Sequence, residues 1–529
     1  MVTATSSENF QGSASKEKCS QLLEIAVVGA GPAGAYSAYR LRDSGNRVGL
    51  FEYSDRIGGR TYNYKLLNTP DVYLQLGAMR FMPGYMPRLE KLISELGLHV
   101  KNFTEGFGHL GRTRYFLRGQ SVSKEELLYG EIPYELNEEE KKNQHRLSEF
   151  YLEQLVSDYE GGRVNREFLM KCQIKDGRYL HQLGVVEAID LVSSRDGLQL
   201  IKDKFAHKVM VGEDVSAANF FHMELGDEFS EDEVYTLEEG MNSVAEKLVD
   251  KFLQANDGEN TFQTNLQLKS IKKSRNNYNY ELEFKHTISE LEETKVLEFT
   301  ESVKVCASRV ILALPVFALK KIEFEPLLDD RVEEVYNSLN IHPANKVFMT
   351  FTSQWWLNFY NDSYVHIGDS QSVGNSMYDW GKSEATGDYI MMLSYQTGNQ
   401  TQYLKYLQGV GEEFEGSEKG ILRVTKEMAT TLLEELAYYL NVDLVDIPKP
   451  KTSVARFWSG YPFGCGWVSQ RPGYNFDDLM QVMRRPSLKD YVYVVGSDFA
   501  WGGNSGWIEG ALETVDSVID EYFNRDLPY

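Results

Sequence analysis

The amino-acid sequence predicts an α/β protein with an added helical domain, built around a discontinuous Rossmann-like domain. Three observations carry this prediction. A strand, a glycine-rich turn and a helix follow one another near the N-terminus, and a strand, a second glycine-rich loop and a helix return near the C-terminus. Between them lie a stretch of helical pattern and a stretch of mixed strands and helices. Similar first and last segments, separated by other patterns, indicate one nucleotide-binding domain with inserted regions.

The first of these elements is a glycine fingerprint at residues 27–34. Gly29 permits a tight turn after the strand, Gly31 lets the backbone approach a pyrophosphate, and Gly34 lets the helix pack closely on the strand. The first helical turn supplies unpaired N–H groups and the positive end of the helix dipole. Glu52 ends the next apolar run about 20 residues further on, where a carboxylate can hydrogen-bond a ribose. The pattern therefore predicts a bound dinucleotide.

The remaining elements follow from hydrophobic periodicity, which repeats about every 3.6 residues in helices and about every two in half-buried strands. Apolar residues at helical spacing predict helices at 32–44, 138–156, 424–440 and 508–522, and a largely helical stretch at 125–219. Alternating or continuous apolar runs predict strands at 281–284, 296–305, 308–314, 346–351, 389–395 and 491–495.

These elements divide the chain into three domains and a tail. The predicted ranges are 22–62, 236–322 and 488–527 for the nucleotide-binding domain, 63–120 and 323–487 for a mixed α+β substrate-binding domain, 121–235 for a helical domain, and 1–21 for a flexible tail.

The composition excludes several classes of function. The formal net charge of −23 at pH 7 argues against a nucleic-acid partner and an anionic membrane surface, because both require basic patches. An anionic substrate is still possible, since one buried Arg can capture a carboxylate. No apolar run approaches the ~18 residues of a spanning helix, so we expect a soluble protein without a membrane partner. Residues 1–21 lack the apolar core of a signal peptide, and the pattern leaves secretion and a cytoplasmic location both open.

The four cysteines are too few and too scattered for a disulfide framework. Cys306 lies in an apolar run and is expected to be part of the core. A bond between Cys19 and Cys172 is an alternative that the sequence does not decide. Neither the cysteines nor the nine histidines show metal-ligand spacing, so no metal site is predicted.

The motifs resemble those of the flavin-dependent amine oxidase superfamily, and within it the L-amino-acid oxidases. Two segments, 51–60 and 461–463, look most similar to oxidases of gastropod ink and mucus, and snake-venom enzymes look more distant. The similar stretches cover most of the chain and are 25–34, 50–61, 76–80, 239–241, 345–348, 494–498 and 506–510.

The resemblance implies that the dinucleotide is FAD, held without a covalent bond as in most of the amino-acid oxidases. Glu52 would hold the adenosine ribose, Arg60 the diphosphate, and the backbone of Leu268 the adenine. Asp498 would bind the ribityl or phosphate region, where the family usually has Glu. The cofactor-binding residues implied in this way are Gly29, Gly31, Ala33, Gly34, Glu52, Tyr53, Gly59, Arg60, Gly77, Ala78, Met79, Arg80, Leu268, Asp498, Gly506, Trp507 and Ile508.

The same resemblance implies the residues that handle substrate. Arg80 would grip an α-carboxylate through two hydrogen bonds, and the Tyr378 hydroxyl would join it. Lys346 would hold a water beside the flavin, and burial would lower its pKa. Trp507 would form an aromatic wall, preceded in the loop by Gly506. The remaining candidates are Trp467 as a weaker aromatic neighbour, Cys465 as a thiol lining the pocket or a covalent link to flavin, Asp379 as a partner of a basic side chain, and His222 as a pocket histidine that ranks low.

The implied activity is oxidation of L-amino acids by O2 to 2-oxo acids, ammonia and H2O2, and the resemblance also implies an antimicrobial effect and a homodimer. Three alternatives stay open at this point. One is oxidation of a polyamine or monoamine, which the negative net charge would suit. The second is a flavin desaturase or dehydrogenase that does not use O2, and the third is an antimicrobial flavoprotein of low turnover.

Overall fold

The structure, a computed structural model, describes residues 19–103, 114–205, 208–212, 214–226, 234–274, 278–290, 293–326, 328–358, 364–367, 376–501 and 504–523. The strands in these ranges are β1 (Gln21–Val28), β2 (Val48–Phe51), β3 (Asn63–Tyr64), β4 (Leu74–Gln75), β5 (Val100–Asn102), β6 (Arg114–Leu117), β7 (Gln120–Ser123), β8 (Tyr235–Leu237), β9 (Thr261–Gln263), β10 (Leu266–Lys273), β11 (Tyr280–Glu290), β12 (Glu293–Val296), β13 (Val303–Leu312), β14 (Glu323–Phe324), β15 (Leu339–His342), β16 (Ala344–Phe351), β17 (Tyr364–Ile367), β18 (Ser376–Lys382), β19 (Tyr389–Thr397), β20 (Ser453–Gly460), β21 (Gly464–Cys465), β22 (Trp467–Gln470) and β23 (Val492–Val494).

The helices in the same ranges are α1 (Pro32–Leu41), α2 (Pro87–Glu95), α3 (Lys124–Tyr129), α4 (Glu138–Lys142), α5 (Leu147–Leu155), α6 (Arg166–Lys171), α7 (Val185–Asp190), α8 (Arg195–Lys204), α9 (Ala217–Leu225), α10 (Ser243–Gln254), α11 (Val316–Leu319), α12 (Arg331–Ser338), α13 (Thr401–Val410), α14 (Lys426–Leu440), α15 (Phe476–Arg484) and α16 (Ile508–Tyr522). None of these described helices has the length and apolar character needed to cross a membrane.

The first large sheet is the nucleotide-binding sheet. Its strands run in the order β14, β10, β11, β13, β1, β2 and β9, with β12 paired to β11 and β23 paired to β13. The central strand β1 is parallel to both β13 and β2. These strands come from three separate parts of the chain, so the predicted discontinuous α/β arrangement is confirmed. The domain boundaries themselves stay a prediction.

The two faces of this sheet are covered by different helices. Along β1, Ile25 and Val27 belong to a core that includes residues of α1, α10 and α16. Ala26 and Val28 point to the opposite face and belong to a second core that includes residues of α12 and α15. Because both faces are buried, the central strands are continuously apolar, as parallel strands usually are.

The second large sheet runs in the order β21, β20, β16, β19, β18, β17, β6 and β7. Strand β16 lies between β20 and β19, antiparallel to both, and all its residues are buried. Its odd-numbered residues from Val347 to Phe351 pack in a core with α13 and α14. Phe348 packs in a different core on the other side. The alternation expected for 346–351 is therefore confirmed, and it leaves Lys346 on the side away from α13 and α14.

The segment between these sheets is helical, as predicted. Helices α3 to α9 lie within it, and all of them except α4 contribute residues to one hydrophobic core. The single helix predicted at 138–156 is wrong, because the structure has α4, a short 3-10 turn and α5 there, with a break at Asn143. The continuous strand predicted at 296–305 is also wrong. Strand β12 ends at Val296, β13 begins at Val303, and the turn between them leaves Phe299 fully exposed.

Residues 19–21 of the predicted tail are part of the described fold, and the cysteine pairing differs from both expectations. Residues 1–18 lie outside the described residues, but Cys19 is buried and β1 begins at Gln21. Cys19 forms a disulfide with Cys306. The alternative bond between Cys19 and Cys172 is therefore wrong, and Cys172 and Cys465 are free and buried. Cys306 lies in the core as expected, but as half of a disulfide, because β1 and β13 are neighbours and bring the two residues together.

The disulfide gives the first testable prediction. A cross-link between residues 287 positions apart restricts the unfolded chain. The double variant Cys19→Ala/Cys306→Ala should therefore unfold at a lower temperature, and its free energy of unfolding should be about 2–4 kcal/mol smaller. Differential scanning calorimetry measures this. Titration with a thiol reagent in denaturant should count two thiols in the unreduced protein and four after reduction. Four thiols without reductant would contradict the assignment.

Candidate functional site

A cavity lies between the nucleotide-binding sheet and the second large sheet, and it collects most of the predicted site residues. It is lined by residues of the glycine turn, β2, β10, β16, β19 and the loop before α16. The predicted residues that line it are Gly29, Gly31, Ala33, Glu52, Tyr53, Gly59, Arg60, Gly77, Ala78, Met79, Arg80, Leu268, Lys346, Trp467, Asp498, Gly506, Trp507 and Ile508. Five candidate residues do not line it: Gly34, His222, Tyr378, Asp379 and Cys465.

The glycine turn forms one wall of the cavity, and its three glycines differ in what surrounds them. A Cβ on Gly29 would lie 2.4 Å from the carbonyl oxygen of Ala313, and the φ of Gly29 is +100°. A Cβ on Gly34 would lie 1.7 Å from the carbonyl oxygen of Gly29, so Gly34 serves the packing of helix on strand. A Cβ on Gly31 would meet nothing closer than Gly59, at 3.8 Å. The open space beside Gly31 is therefore available to a ligand.

Glu52 is a buried carboxylate at the end of β2, on the far side of the glycine turn. Its Oε2 accepts a hydrogen bond from the backbone N–H of Ala30 at 2.7 Å. Its Oε1 accepts from the backbone N–H and the hydroxyl of Ser54, both at 2.9 Å. These three donors fix the side chain and stabilise the charge. Each carboxylate oxygen can accept more than one hydrogen bond, so Glu52 can still accept from hydroxyl groups in the cavity.

Arg60 and Asp498 form an ion pair at the middle of the cavity. The Arg60 Nη2 donates to Asp498 Oδ1 at 2.6 Å and to the Ser497 hydroxyl at 3.0 Å. Asp498 Oδ2 accepts from the backbone N–H of Val316 at 3.2 Å. In this arrangement Asp498 orients the guanidinium, and the cavity-facing group is the cation. A guanidinium beside a glycine turn and a helix N-terminus suits a diphosphate.

The loop before α16 brings two tryptophans into the cavity. Trp507 precedes the first residue of the helix, and Gly506 has a φ of +80°, which glycine adopts without strain. The rings of Trp467 and Trp507 meet edge to face, with their centroids 5.8 Å apart. The N-terminus of α16 and an aromatic corner therefore lie together at one end of the cavity.

Cys465 lies behind the cavity rather than on its surface. Its side chain is buried, and burial raises the pKa of its thiol to about 11. Its carbonyl oxygen accepts from Arg60 Nη1 at 3.2 Å. The expectation of a thiol lining the pocket is therefore wrong, because the side chain is buried and Cys465 is not among the residues that line the cavity. This residue contributes its backbone to the placement of Arg60.

Arg80 faces the cavity and is held from behind by Tyr378. The Arg80 Nη1 donates to the Tyr378 hydroxyl at 3.1 Å, and the guanidinium carbon lies 5.9 Å from the centre of the Phe103 ring. Tyr378 is 1% exposed and packs edge to face against Phe103. The structure thus brings Arg80 and Tyr378 together, as the sequence predicted, but only the guanidinium lines the cavity.

Lys346 is a buried amine at the same end of the cavity. Its Nζ donates to the carbonyl oxygens of Gln75 at 3.1 Å and Gly77 at 2.5 Å. Burial lowers the pKa of Lys346 well below its usual value, and the positive charge of Arg80 lowers it further. In its neutral form the amine has two N–H groups, which the two carbonyls would occupy, and one lone pair that can accept a hydrogen bond.

Tyr395 is a cavity residue that the sequence reasoning missed. It lies directly opposite Lys346 in the pairing of β16 and β19, and the Lys346 Nζ is 5.1 Å from the centre of its ring. Burial raises the pKa of Tyr395 to about 12, so the phenol stays protonated. The signal that could have found it is the cross-strand register, which a single sequence does not contain. Trp458 and Phe463 also line the cavity and were missed for the same reason.

Asp379 and His222 take no part in the cavity. Asp379 accepts from the side-chain amide of Gln354 and from the backbone N–H of Gly381. His222 lies in the last turn of α9. Neither residue lines the cavity. Asp379 therefore does not contact the space beside Arg80 in which a substrate would lie.

The groups around the cavity fit a flavin nucleotide. A glycine turn with free space, a helix N-terminus and the Arg60 guanidinium suit phosphates, and the buried acceptor Glu52 suits a sugar diol. The other end of the cavity is lined by Lys346, Arg80, Trp467 and Trp507. Polar groups for phosphate thus lie at one end, and an aromatic corner with a cation lies at the other.

The different surroundings of Gly31 and Gly34 give the second prediction. Gly31→Ala should fold normally, because its Cβ has room, but its methyl group would occupy ligand space and lower flavin affinity at least about tenfold. Gly34→Ala should instead lower the unfolding temperature, because its Cβ collides with backbone. Visible absorbance per chain and thermal unfolding separate the two effects. Equal flavin content in Gly31→Ala and wild type would contradict the placement of the ligand.

Comparisons with known proteins identify the family of the chain. Residues 32–514 match the family model for flavin-containing amine oxidoreductases. The chain is 47% identical to Aplysianin-A of Aplysia kurodai over 98% of this chain and 93% of that protein. It is 39% identical to Achacin of Lissachatina fulica over 96% of this chain and 94% of that protein. It is 20% identical to an L-amino-acid oxidase of Sistrurus catenatus edwardsii, over 93% and 85%.

Solved structures show the same fold. Wild-type putrescine oxidase bound to putrescine has a TM-score of 0.66 and 18% identity, over 95% of this chain and 99% of that one. Cyclohexylamine oxidase of Brevibacterium oxydans IH-35A has a TM-score of 0.65 and 16% identity, over 94% and 99%. At these identities the likeness concerns the fold alone. The family match spans most of the sequence, and the chain belongs to the family of flavin-containing amine oxidoreductases.

Proposed function

We propose that this protein is an FAD-dependent L-amino-acid oxidase, which converts an L-amino acid, O2 and water to a 2-oxo acid, ammonia and H2O2. The observation that carries the substrate class is Arg80. Its guanidinium lines the cavity beside Lys346 and the aromatic corner of Trp467 and Trp507. A half-buried cation in this position attracts an anionic group, and the α-carboxylate of an amino acid is such a group.

The cofactor assignment follows the chemistry of the cavity walls. Glu52 would hold the adenosine ribose, Arg60 the diphosphate, and the N-terminus of α16 the electron-rich end of the flavin ring. The flavin would be held without a covalent bond, since the Cys465 thiol points away from the cavity and is protonated at neutral pH. When bound, a flavin supplies the acceptor for the hydride that leaves Cα.

The protein's own residues would bind and orient the substrate. Arg80 fixes the carboxylate, and Tyr378 prevents the guanidinium from turning away by accepting one of its N–H groups. Trp507 and Trp467 form an aromatic corner that excludes water from the reacting carbon. Holding the carboxylate at one point and the side chain at another leaves few orientations for Cα–H, and alignment of this kind accounts for much of an enzyme's rate.

Lys346 would manage protons near the amino group. Its two N–H groups are held by the carbonyls of Gln75 and Gly77, so its lone pair can accept a hydrogen bond from a water or from the substrate amine. The same amine can take up a proton when the imino acid product is hydrolysed. Because the charged form is disfavoured by burial and by Arg80, this proton would be released again readily.

Relatives support an amino-acid substrate over an amine. Several proteins about 20% identical to this chain are named as L-amino-acid oxidases, from Sistrurus, Crotalus and Bothrops. The putrescine oxidase with the same fold binds putrescine, a dication. A dication would lie unfavourably beside Arg80. The homodimer and the antimicrobial effect that the resemblance implies stay predictions.

Replacement of Arg80 is the third prediction and the main test of the proposal. Arg80→Met should lower kcat/KM for L-amino acids about 100-fold or more, because the carboxylate loses its paired charge. The measurement is peroxide production with matched substrate pairs, L-phenylalanine with 2-phenylethylamine and L-lysine with cadaverine. Activity toward the amines without a carboxylate should change by less than about threefold.

Arg331→Met serves as the control, since Arg331 is exposed and paired with Asp329. It should leave both substrate classes at the wild-type rate. If Arg80→Met leaves kcat/KM for every L-amino acid near the wild-type value, the amino-acid assignment fails. A wild-type protein that oxidises the amines faster than the amino acids would favour a polyamine or monoamine oxidase.

The lowered pKa of Lys346 gives the fourth prediction, a dependence on pH. Above its lowered pKa the amine is neutral and can accept a proton, and as the pH falls through that value it becomes charged and inactive. We therefore expect kcat/KM to rise with pH through this ionisation. In Lys346→Met this rise with pH should disappear, and kcat/KM should fall about 100-fold. If kcat/KM of the variant still rises with pH as in the wild type, the ionisation belongs to the substrate amine instead.

A further inference from the structure

Lys346 has to carry a positive charge for part of the proposed reaction, in a place that disfavours charge. The residue is 4% exposed, burial lowers its pKa, and the positive charge of Arg80 lowers it further. The charged amine has three N–H groups, and the carbonyls of Gln75 and Gly77 can accept two of them. A buried charge is costly unless its neighbours stabilise it, so the groups around this amine decide how readily it takes up a proton.

The ring of Tyr395 lies beside this amine. Strands β16 and β19 are antiparallel, and Tyr395 is the residue of β19 directly opposite Lys346. Directly opposite residues of such a pair have their side chains on the same face of the sheet. The Lys346 Nζ lies over the ring, 5.1 Å from its centre, and an aromatic face attracts a cation over about 6 Å. Both residues line the cavity, so this contact belongs to the end where the substrate would lie.

The charged side chains on the elements next to Lys346 are cations. Arg80 is the one charged residue of the segment 75–80, and β19 has none. Arg456 is the one charged residue of β20, and it lies directly opposite Lys346 on the other edge of β16. Its guanidinium carbon is 4.7 Å from the centre of the Trp458 ring. These two cations oppose a charge on the amine and do not compensate it.

The acidic groups of the cavity have other partners. Among the described residues that line the cavity, the carboxylates are Glu52 and Asp498. Glu52 accepts from Ser54, and Asp498 is paired with Arg60. The phenol of Tyr395 supplies no negative charge, because burial raises its pKa to about 12. The stabilisation identified beside the charged amine therefore comes from two carbonyl dipoles and one neutral aromatic ring.

We propose that the face of the Tyr395 ring stabilises the protonated form of Lys346, so that this buried amine can take up and release a proton in each turnover. The proton comes to the lone pair of the amine from a water or from the substrate amine, and the charged amine returns it to water. The inference rests on the role of Lys346 in the proposed function. Tyr395 acts here through Lys346, so it is a positioning residue and needs no contact with the substrate.

The experiment changes the electron density of the ring without changing its shape. Tyr395→Phe is compared with the protein that carries 3,4,5-trifluorophenylalanine at position 395, introduced by nonsense suppression. Fluorine withdraws electron density from the ring face and so weakens its attraction for a cation, with little change in volume. The measurement is kcat/KM against pH for the L-amino acid that the wild type oxidises fastest. The substrate is the same throughout, so its own ionisation adds nothing to a difference between variants.

The protonated form loses stability when the ring attracts it less, so the amine should become neutral at a lower pH. The pH at which kcat/KM reaches half of its limiting value should therefore fall by about one unit in the trifluorophenylalanine protein, a tenfold larger acid dissociation constant. In Tyr395→Phe this pH should stay within about 0.3 units of the wild type, because the ring face is kept.

A second measurement does not depend on activity. Acetic anhydride acetylates an amine only in its neutral form, so the extent of acetylation of the Lys346 peptide at a series of pH values gives the ionisation of this residue by mass spectrometry. Its midpoint should move in the same direction and by the same amount. The matched control places phenylalanine and trifluorophenylalanine at Tyr438, which is exposed on α14, and should leave both midpoints unchanged.

Equal midpoints in the phenylalanine and trifluorophenylalanine proteins would overturn the inference, because the ring would then act only by filling space. A higher midpoint in the trifluorophenylalanine protein would overturn it as well. Failure of the proposed role of Lys346 looks different: kcat/KM of Lys346→Met would rise with pH as in the wild type. In that case a lower acetylation midpoint in the trifluorophenylalanine protein would still support stabilisation of the charged amine by the ring.

Discussion

The hydrogen bonds from Lys346 to the carbonyls of Gln75 and Gly77 connect the two halves of the site. Lys346 belongs to strand β16 of the second large sheet. The two carbonyls that it binds belong to the segment 75–80, which ends at Arg80. One buried amine thus holds the backbone that leads to Arg80, and burial together with the charge of Arg80 lowers the pKa of that amine. The cavity depends on this mutual arrangement more than on any single motif.

Much of the nucleotide-binding half could be predicted from the sequence, because its determinants are local. Gly29, Gly31 and Gly34 have spacing that follows from turn and helix geometry, and Glu52 ends the neighbouring strand. Helix α16 and strand β16 also follow from local periodicity. The fold class and the family are confirmed for the same reason, since the motifs are spread along most of the chain.

Residues that depend on contacts between distant segments could not be predicted in this way. Tyr395 acquires its place from the pairing of β16 with β19. Cys465 was expected in the pocket because the resemblance implied it, but Gly466, the next residue, lines the cavity and Cys465 does not. The disulfide of Cys19 was missed because its partner lies 287 positions away. Periodicity contains no information about such pairs.

The two free cysteines have a consequence for an enzyme that releases peroxide. Peroxide oxidises the thiolate far faster than the protonated thiol, and access to the sulfur also limits the reaction. Both remaining sulfur atoms are buried, and burial raises their pKa to about 12 for Cys172 and about 11 for Cys465. The other two sulfurs are already joined to each other. The H2O2 that the enzyme releases therefore meets little reactive sulfur in the chain. Resistance of the thiols to oxidation would help the enzyme to stay active over many turnovers.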